Sequence, residues 1–198
     1  MTAAPPSARA TVRRDDRGRY ERELIEAILD EALVCHVGIV QDDGWPLVLP
    51  TLHVRDGDAL YLHGSPASRL LRTAKKGVPV CVTVMLLDGL VMARSAFHHS
   101  INYRSVVVFG TVQPVTDGAE KARVLDLLVE HVQAGRGAEC RPPTEEELRK
   151  TLVLRLPLDE ASAKMREGGP IDDPDDLDLP FPAGVIPVRS VRDELVRY

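Results

Sequence analysis

The chain has 198 residues, 44% of them apolar and 28% charged, with a formal net charge of −5. That length and balance suit one soluble domain with a real core, and the acidic charge argues against a nucleic-acid binder, whose footprint is a basic surface. No run approaches the ~20 apolar residues that span a bilayer.

Met1–Ala10 is rich in Pro and Ala and lacks an apolar centre, so no signal peptide is expected. The three cysteines, Cys35, Cys81 and Cys140, stand singly with no CxxC pair. This predicts a reducing cytoplasm and no structural zinc.

Residues 1–19 read as a flexible arm, and residues 20–198 as a single domain. From Tyr20 the apolar residues Leu24, Ile25, Ile28, Ala32 and Leu33 recur at helical spacing. Val34–Val40 is short and β-branched and reads as a strand. Gln41-Asp42-Asp43-Gly44 is a hairpin turn. Leu47–Val54 is the returning strand, Arg55–Asp58 a second turn, and Ala59–His63 a third strand, so an antiparallel meander is expected. Ser65 as N-cap and Pro66 at the first helical position predict a helix that Gly77 stops.

Val78–Leu87, Gly89–Arg94 and Val106–Val115 read as three further strands. Asp117 and Glu120 form a capping-box pattern before a helix whose apolar stripe is Val124, Leu125, Leu128, Val129 and Val132. Thr144 and Glu147 repeat the pattern. Thr151–Leu158 reads as the last barrel strand, the Asp-rich tail from Gly168 as an ordered surface loop, and Pro182–Val188 as a short extended piece. His36 and His53 are expected on exposed or interface faces of strands. Tight turns between short strands leave no room for parallel crossovers. The expected fold class is therefore mainly β with flanking helices (α+β), a partly closed antiparallel barrel.

The segment Leu60–Arg69 carries the most chemistry. A strand runs into a helix start, with backbone N–H groups, the hydroxyls of Ser65 and Ser68, and the Arg69 guanidinium together. Such a junction attracts an anion, a phosphate above all. The other reading is a capped helix with a solvated arginine. His63 borders this junction as a site residue, or is a barrel-mouth histidine bonded to backbone. His98 and His99 are adjacent, so their side chains diverge and make a poor metal pair. The aspartates at 172–178 lack calcium-loop spacing, and no metal is expected.

Tyr61–Arg69 followed by Val78–Val84 resembles the FMN-phosphate region of the pyridoxamine 5'-phosphate oxidase-like flavoproteins. The closer likeness is to the flavin-nucleotide-binding subgroup that includes the nitroimidazole-resistance-type reductases. Trp45–Thr51, Asn102–Gly110 and Ala161–Pro170 resemble the family in order and at its spacing. The resemblance implies an FMN-binding antiparallel split β-barrel, a homodimer with flavins at its interface. It implies that Arg69, Ser68 and Ser65 hold the FMN phosphate. Leu49, Pro50 and Thr51 would present backbone groups to the polar edge of the ring, and Leu62, His63 and Gly64 would line the ribityl chain or ring. Ser105 stands where the oxidases carry a Gln that reaches the flavin.

The oxidases often clamp the phosphate with an Arg/Lys pair. Here Leu70 follows Arg69, which leaves Arg72 or Lys75 as the second cation. The Trp and Arg-x-His substrate region of the true oxidases has no counterpart, which argues against that activity. The function implied is an FMN-dependent oxidoreductase that passes electrons from NAD(P)H to a small organic acceptor. The alternative is a flavin- or haem-binding storage protein of the same fold, with His63 or His98 as the axial ligand of a haem.

Overall fold

The structure is a computed structural model that describes residues 3–197. Residues 1 and 2 of the expected N-terminal arm lie outside them. The described chain gathers into two compact units. One comprises Met1–Met85 with Ser105–Lys164, and the other Leu86–Arg104 with Met165–Tyr198. Among the described residues, no helix is long and apolar enough to cross a membrane.

In chain order the larger unit begins with β1 (Gly18–Arg19) and α1 (Arg22–Glu31). β1 pairs with a later strand near Lys164, Ala10 is buried, and the Val12 N–H donates to the Tyr20 hydroxyl at 2.8 Å. The segment before residue 20 is therefore tied to the sheet at these points. Ile25, Ile28 and Leu29 form the buried stripe of α1.

The meander follows as β2 (Val34–Val40), β3 (Pro46–Asp56) and β4 (Ala59–Gly64), all antiparallel. Gly44 and Gly57 take the left-handed conformation that their two turns require. β4 is buried from Ala59 to Leu62 because both faces are covered there. Ala59 and Tyr61 pack with Val124 and Leu128, while Leu60 and Leu62 are wholly buried on the opposite face.

The helix after β4 starts later than the sequence suggests. α2 spans Arg69–Ala74, and its N-cap is Ser68, whose Oγ accepts from the Leu71 N–H. Ser65 and Pro66 instead form a preceding turn, closed by the Ser68 N–H donating to the Ser65 carbonyl at 2.9 Å. Proline suits the second position of such a turn.

β5 (Pro79–Met92) is one long strand where two were expected. Asp88-Gly89 looks like a turn, but Gly89 has no positive φ. The Asp88 carboxylate instead receives the Arg104 guanidinium at 2.8 and 3.0 Å. β6 (Ser100–Thr111) begins six residues before the expected strand, and β7 (Gln113–Pro114) is a separate short piece.

α3 (Gly118–Val132) has Asp117 as its cap, accepting from the Ala119 and Glu120 N–H groups. No capping box forms there, because Glu120 accepts from the Tyr61 hydroxyl at 2.9 Å. α4 (Glu145–Arg149) does carry the full box between Thr144 and Glu147. β8 (Leu152–Pro157) is not the last barrel strand: β9 (Glu160–Arg166) follows it. The strand order is β1-β9-β6-β5-β2-β3-β4-β8-β7. The architecture is the expected one, a mainly antiparallel split barrel with flanking helices.

In the smaller unit, β10 (Gly184–Pro187) pairs with Gly89–Met92. A Cβ on Gly89 would lie 2.8 Å from Val185 Cγ1, so glycine permits this close approach. The acidic tail is pinned by Asp172, which accepts from both the backbone and the guanidinium of Arg94 at 2.8 Å.

His53 departs from expectation: it is fully buried, not surface-facing. Its Nε2 bonds the Leu29 carbonyl at 3.0 Å, and its ring lies 5.6 Å from His131, which bonds Ala32. Burial pushes its pKa down to about 4. The unfolded chain then binds the proton first as pH falls. Stability is fully present above about pH 6.5 and is lost toward pH 4; at pH 5 the loss relative to pH 7 is about 2 kcal/mol. Denaturant melts should show this slope, and His53→Gln, which cannot ionise, should flatten it.

Candidate functional site

Of the expected site residues, Arg69 and His63 line two different cavities of the larger unit. The division follows from β4. Alternate residues of a strand face opposite ways, so His63 follows Tyr61 toward α3, while Gly64 turns toward α2. A Cβ on Gly64 would meet Leu71 Cδ1 at 2.9 Å.

The first cavity is an open groove of about 640 Å³ between the Gln41–Asp43 turn and α2. Arg69, Arg72, Lys75 and Lys76 line it. Lys76 is paired with Asp42 at 2.7 Å. Arg69, Arg72 and Lys75 have no ion-pair partner among the described residues. α2 has only six residues, so its dipole is weak, and the pull on an anion comes from the side chains. The sequence leaves Arg72 or Lys75 as the second cation beside Arg69, and both line this groove. Ser68 points its Oγ back into the helix start, and Ser65 Oγ accepts from the Ala67 N–H at 3.2 Å.

Leu49, Pro50 and Thr51 lie on β3, paired with β2 on one side. The β3–β4 ladder runs only from His53 to Asp56. The Pro46–Leu52 half of β3 therefore has one edge outside that ladder, with backbone groups left for a ligand. Leu62 is wholly buried and has no side chain to offer a ligand. Ser105 Oγ donates to the Lys164 carbonyl at 3.1 Å, which occupies the hydroxyl within the sheet.

His63 lines the second cavity, of about 720 Å³, under α3. Leu125, Leu128 and Val129 form its apolar side, and Cys140, Arg141 and Glu147 belong to its outer part. Nδ1 of His63 is buried without a hydrogen-bond partner among the described residues, so the backbone bond that was one reading of this histidine is not made. Desolvation lowers its pKa, favouring the neutral ring. The α3 and loop residues of this cavity are not apparent from sequence. Their signal is the width of the α3 stripe: Val124 and Leu128 are buried, while Leu125 and Val129 on its other edge face the cavity.

His98 and His99, expected to diverge, both contact Ser95, His99 through Nδ1 at 3.0 Å from the Ser95 carbonyl oxygen. Nδ1 of His98 is 3.0 Å from Ser95 Oγ and its Nε2 3.8 Å from Asp173. His98, Asp173 and Asp176 bring ligand atoms within 4.8 Å of one another; Asp173 is exposed and Asp176 half-buried.

A family model described as pyridoxamine 5'-phosphate oxidase matches residues 21–165. The chain belongs to this family. No curated protein matches. Among solved structures, the flavocytochrome Anf3 from Azotobacter vinelandii is 40% identical, with a TM-score of 0.92 over 99% of this chain and 91% of that one. An FAD and heme binding protein from Mycobacterium smegmatis is 37% identical, with a TM-score of 0.87 over 92% and 89%. A candidate 5-nitroimidazole antibiotic resistance protein from Bacteroides thetaiotaomicron is 26% identical, with a TM-score of 0.63 over 74% and 85%.

Ser68 fixes where α2 begins and hence where Arg69 stands. Ser68→Ala should cost about 1 kcal/mol of stability, read as a lower denaturation midpoint at unchanged slope.

Proposed function

We propose that the chain binds a flavin nucleotide, with its phosphate in the Arg69 groove and its ring along the open half of β3, and works as an oxidoreductase. The observation that carries this is the set of three cations, Arg69, Arg72 and Lys75, that share one groove with no carboxylate partner. Unpaired guanidinium forks on a groove wall fit phosphate oxygens. FMN is the nucleotide expected from the sequence. Three cations exceed the needs of one phosphate, and this favours a pyrophosphate such as that of FAD, which the M. smegmatis relative is described as binding.

A bound flavin would supply electron transfer from a reduced nicotinamide to a small organic acceptor. The residues of this chain do the rest. Arg69 and its neighbours hold the phosphate, and the backbone of Leu49–Thr51 meets the polar edge of the ring. Val40, Trp45, Val48 and Met85 are exposed apolar side chains of the larger unit. They support the expected pairing of two copies, since a large apolar patch marks an interaction surface. The thiols Cys35, Cys81 and Cys140 are all free, in keeping with a reducing compartment.

A second reading adds to the first. The orphaned imidazole of His63, in an apolar cavity, fits the axial ligand of a haem. A buried polar atom without a partner is costly, and an iron ligated by this ring would remove the vacancy of partners from the site. The two relatives most similar in sequence among those above are described as a flavocytochrome and as a protein of FAD and heme. A bound haem would supply one-electron transfer, and the walls provided by α3 would keep water from it.

Purified protein mixed with FMN or FAD and desalted should retain yellow colour, and NADH or NADPH should bleach it. Arg69→Ala should weaken the nucleotide roughly 10- to 100-fold while leaving riboflavin, which has no phosphate, unaffected. Equal losses for both ligands would show that Arg69 does not bind the phosphate. For the second reading, added haemin should give a shifted Soret band that His63→Ala abolishes or moves.

A further inference from the structure

We propose that Arg141 is the carboxylate receptor of the His63 cavity, and that Glu147 holds its place until an acidic ligand arrives. The proposal rests on the haem reading, in which the ligand's carboxylates are the porphyrin propionates.

Arg141 and Glu147 both line the cavity. The guanidinium donates from Nη1 to Glu147 Oε2 at 2.8 Å and from Nη2 to Oε1 at 2.6 Å. This two-pronged contact is the geometry in which an arginine would hold any carboxylate. One carboxylate can replace another there without a change in the shape of the contact. The pair is exposed, with side-chain accessibilities of 66% and 48%, so parting it costs little.

Glu147 also has a second post. Its Oε2 accepts from the Thr144 N–H at 2.8 Å in the capping box of α4. It stays anchored when Arg141 turns away. Arg141 itself lies in the stretch before Thr144 that has no regular structure, followed by Pro142 and Pro143.

The charges of the cavity make the exchange necessary. Its lining carries two carboxylates, Asp126 and Glu147, and one permanent cation, Arg141. A ligand bearing carboxylates would be repelled by the first two unless the third received it. A ligand of the same shape with its acids blocked would gain nothing from Arg141.

The test is an absorbance titration of the full chain with haemin and with haemin dimethyl ester, whose propionates are neutral. Wild type should bind haemin roughly tenfold more tightly than the ester. Arg141→Ala should lose that preference by weakening haemin alone. Glu147→Gln keeps a carbonyl oxygen for the cap but removes the competing charge. It should tighten haemin severalfold and leave the ester unchanged, an outcome that misfolding cannot produce. The proposal is overturned if wild type binds both porphyrins equally, if Arg141→Ala weakens both alike, or if Glu147→Gln fails to favour haemin. A wild type with no bound Soret band for either porphyrin would instead overturn the haem reading itself, and the Arg141 proposal with it.

Discussion

Burial of β4 on both faces is the constraint on which the rest depends. Ala59 and Tyr61 are sealed by α3, and Leu60 and Leu62 are sealed on the other side. A strand enclosed in this way cannot slip by one residue without turning every side chain to the wrong face. Its end is therefore fixed, and with it the two directions in which His63 and Gly64 point. The cavity under α3 and the groove beside α2 are consequences of one strand register.

The polar groups near that strand are held by the same packing. Tyr61 reaches through the α3 interface to Glu120. Buried His53 joins α1 to the sheet through Leu29, and His131 joins α3 to the end of α1 through Ala32. Each bond satisfies a group that would otherwise be buried at a cost. Three buried side-chain nitrogens among the described residues have no hydrogen-bond partner: Nδ1 of His53, Nδ1 of His63 and Nε of Arg94. Of these residues, His63 lines the cavity under α3. A buried polar atom left over in a well-satisfied region marks a place where something else belongs.

The two cavities differ in their walls. The groove by α2 is open, with Arg69, Arg72, Lys75 and Lys76 on one side and Asp42 and Asp43 on the other, Asp42 being paired with Lys76, which suits a charged group that keeps part of its hydration. The cavity under α3 has leucine and valine on its inner side and charges only toward the outside, which suits a flat apolar body with polar ends.

Much of this was legible in the chain itself. The short β-branched run of β2, the glycines of the turns after β2 and β3 and the Asp117 cap are local facts, and these survive folding. The Arg69 junction was legible for the same reason, since all its parts lie within a few residues. Where local signals misled, a distant partner had intervened. Ser65-Pro66 looked like a helix start, but the chain needed a turn first. Val78–Leu87 and Gly89–Arg94 read as two strands, but Asp88 pairs with Arg104 and Gly89 with Pro187, and one strand runs through both. Glu120 looked like half of a capping box, but Tyr61 claimed it. His53 looked like a surface residue, but α1 covers it. The cavity of His63 could not be read at all, because its walls come from α3 and from the loop that follows, far along the chain. Sequence determined the β2–β3–β4 meander and the closeness of Arg69, Arg72 and Lys75, because those depend on neighbours along the chain. Only the tertiary structure decided that His63 and Arg69 serve different cavities, because that depends on which face of one buried strand each side meets.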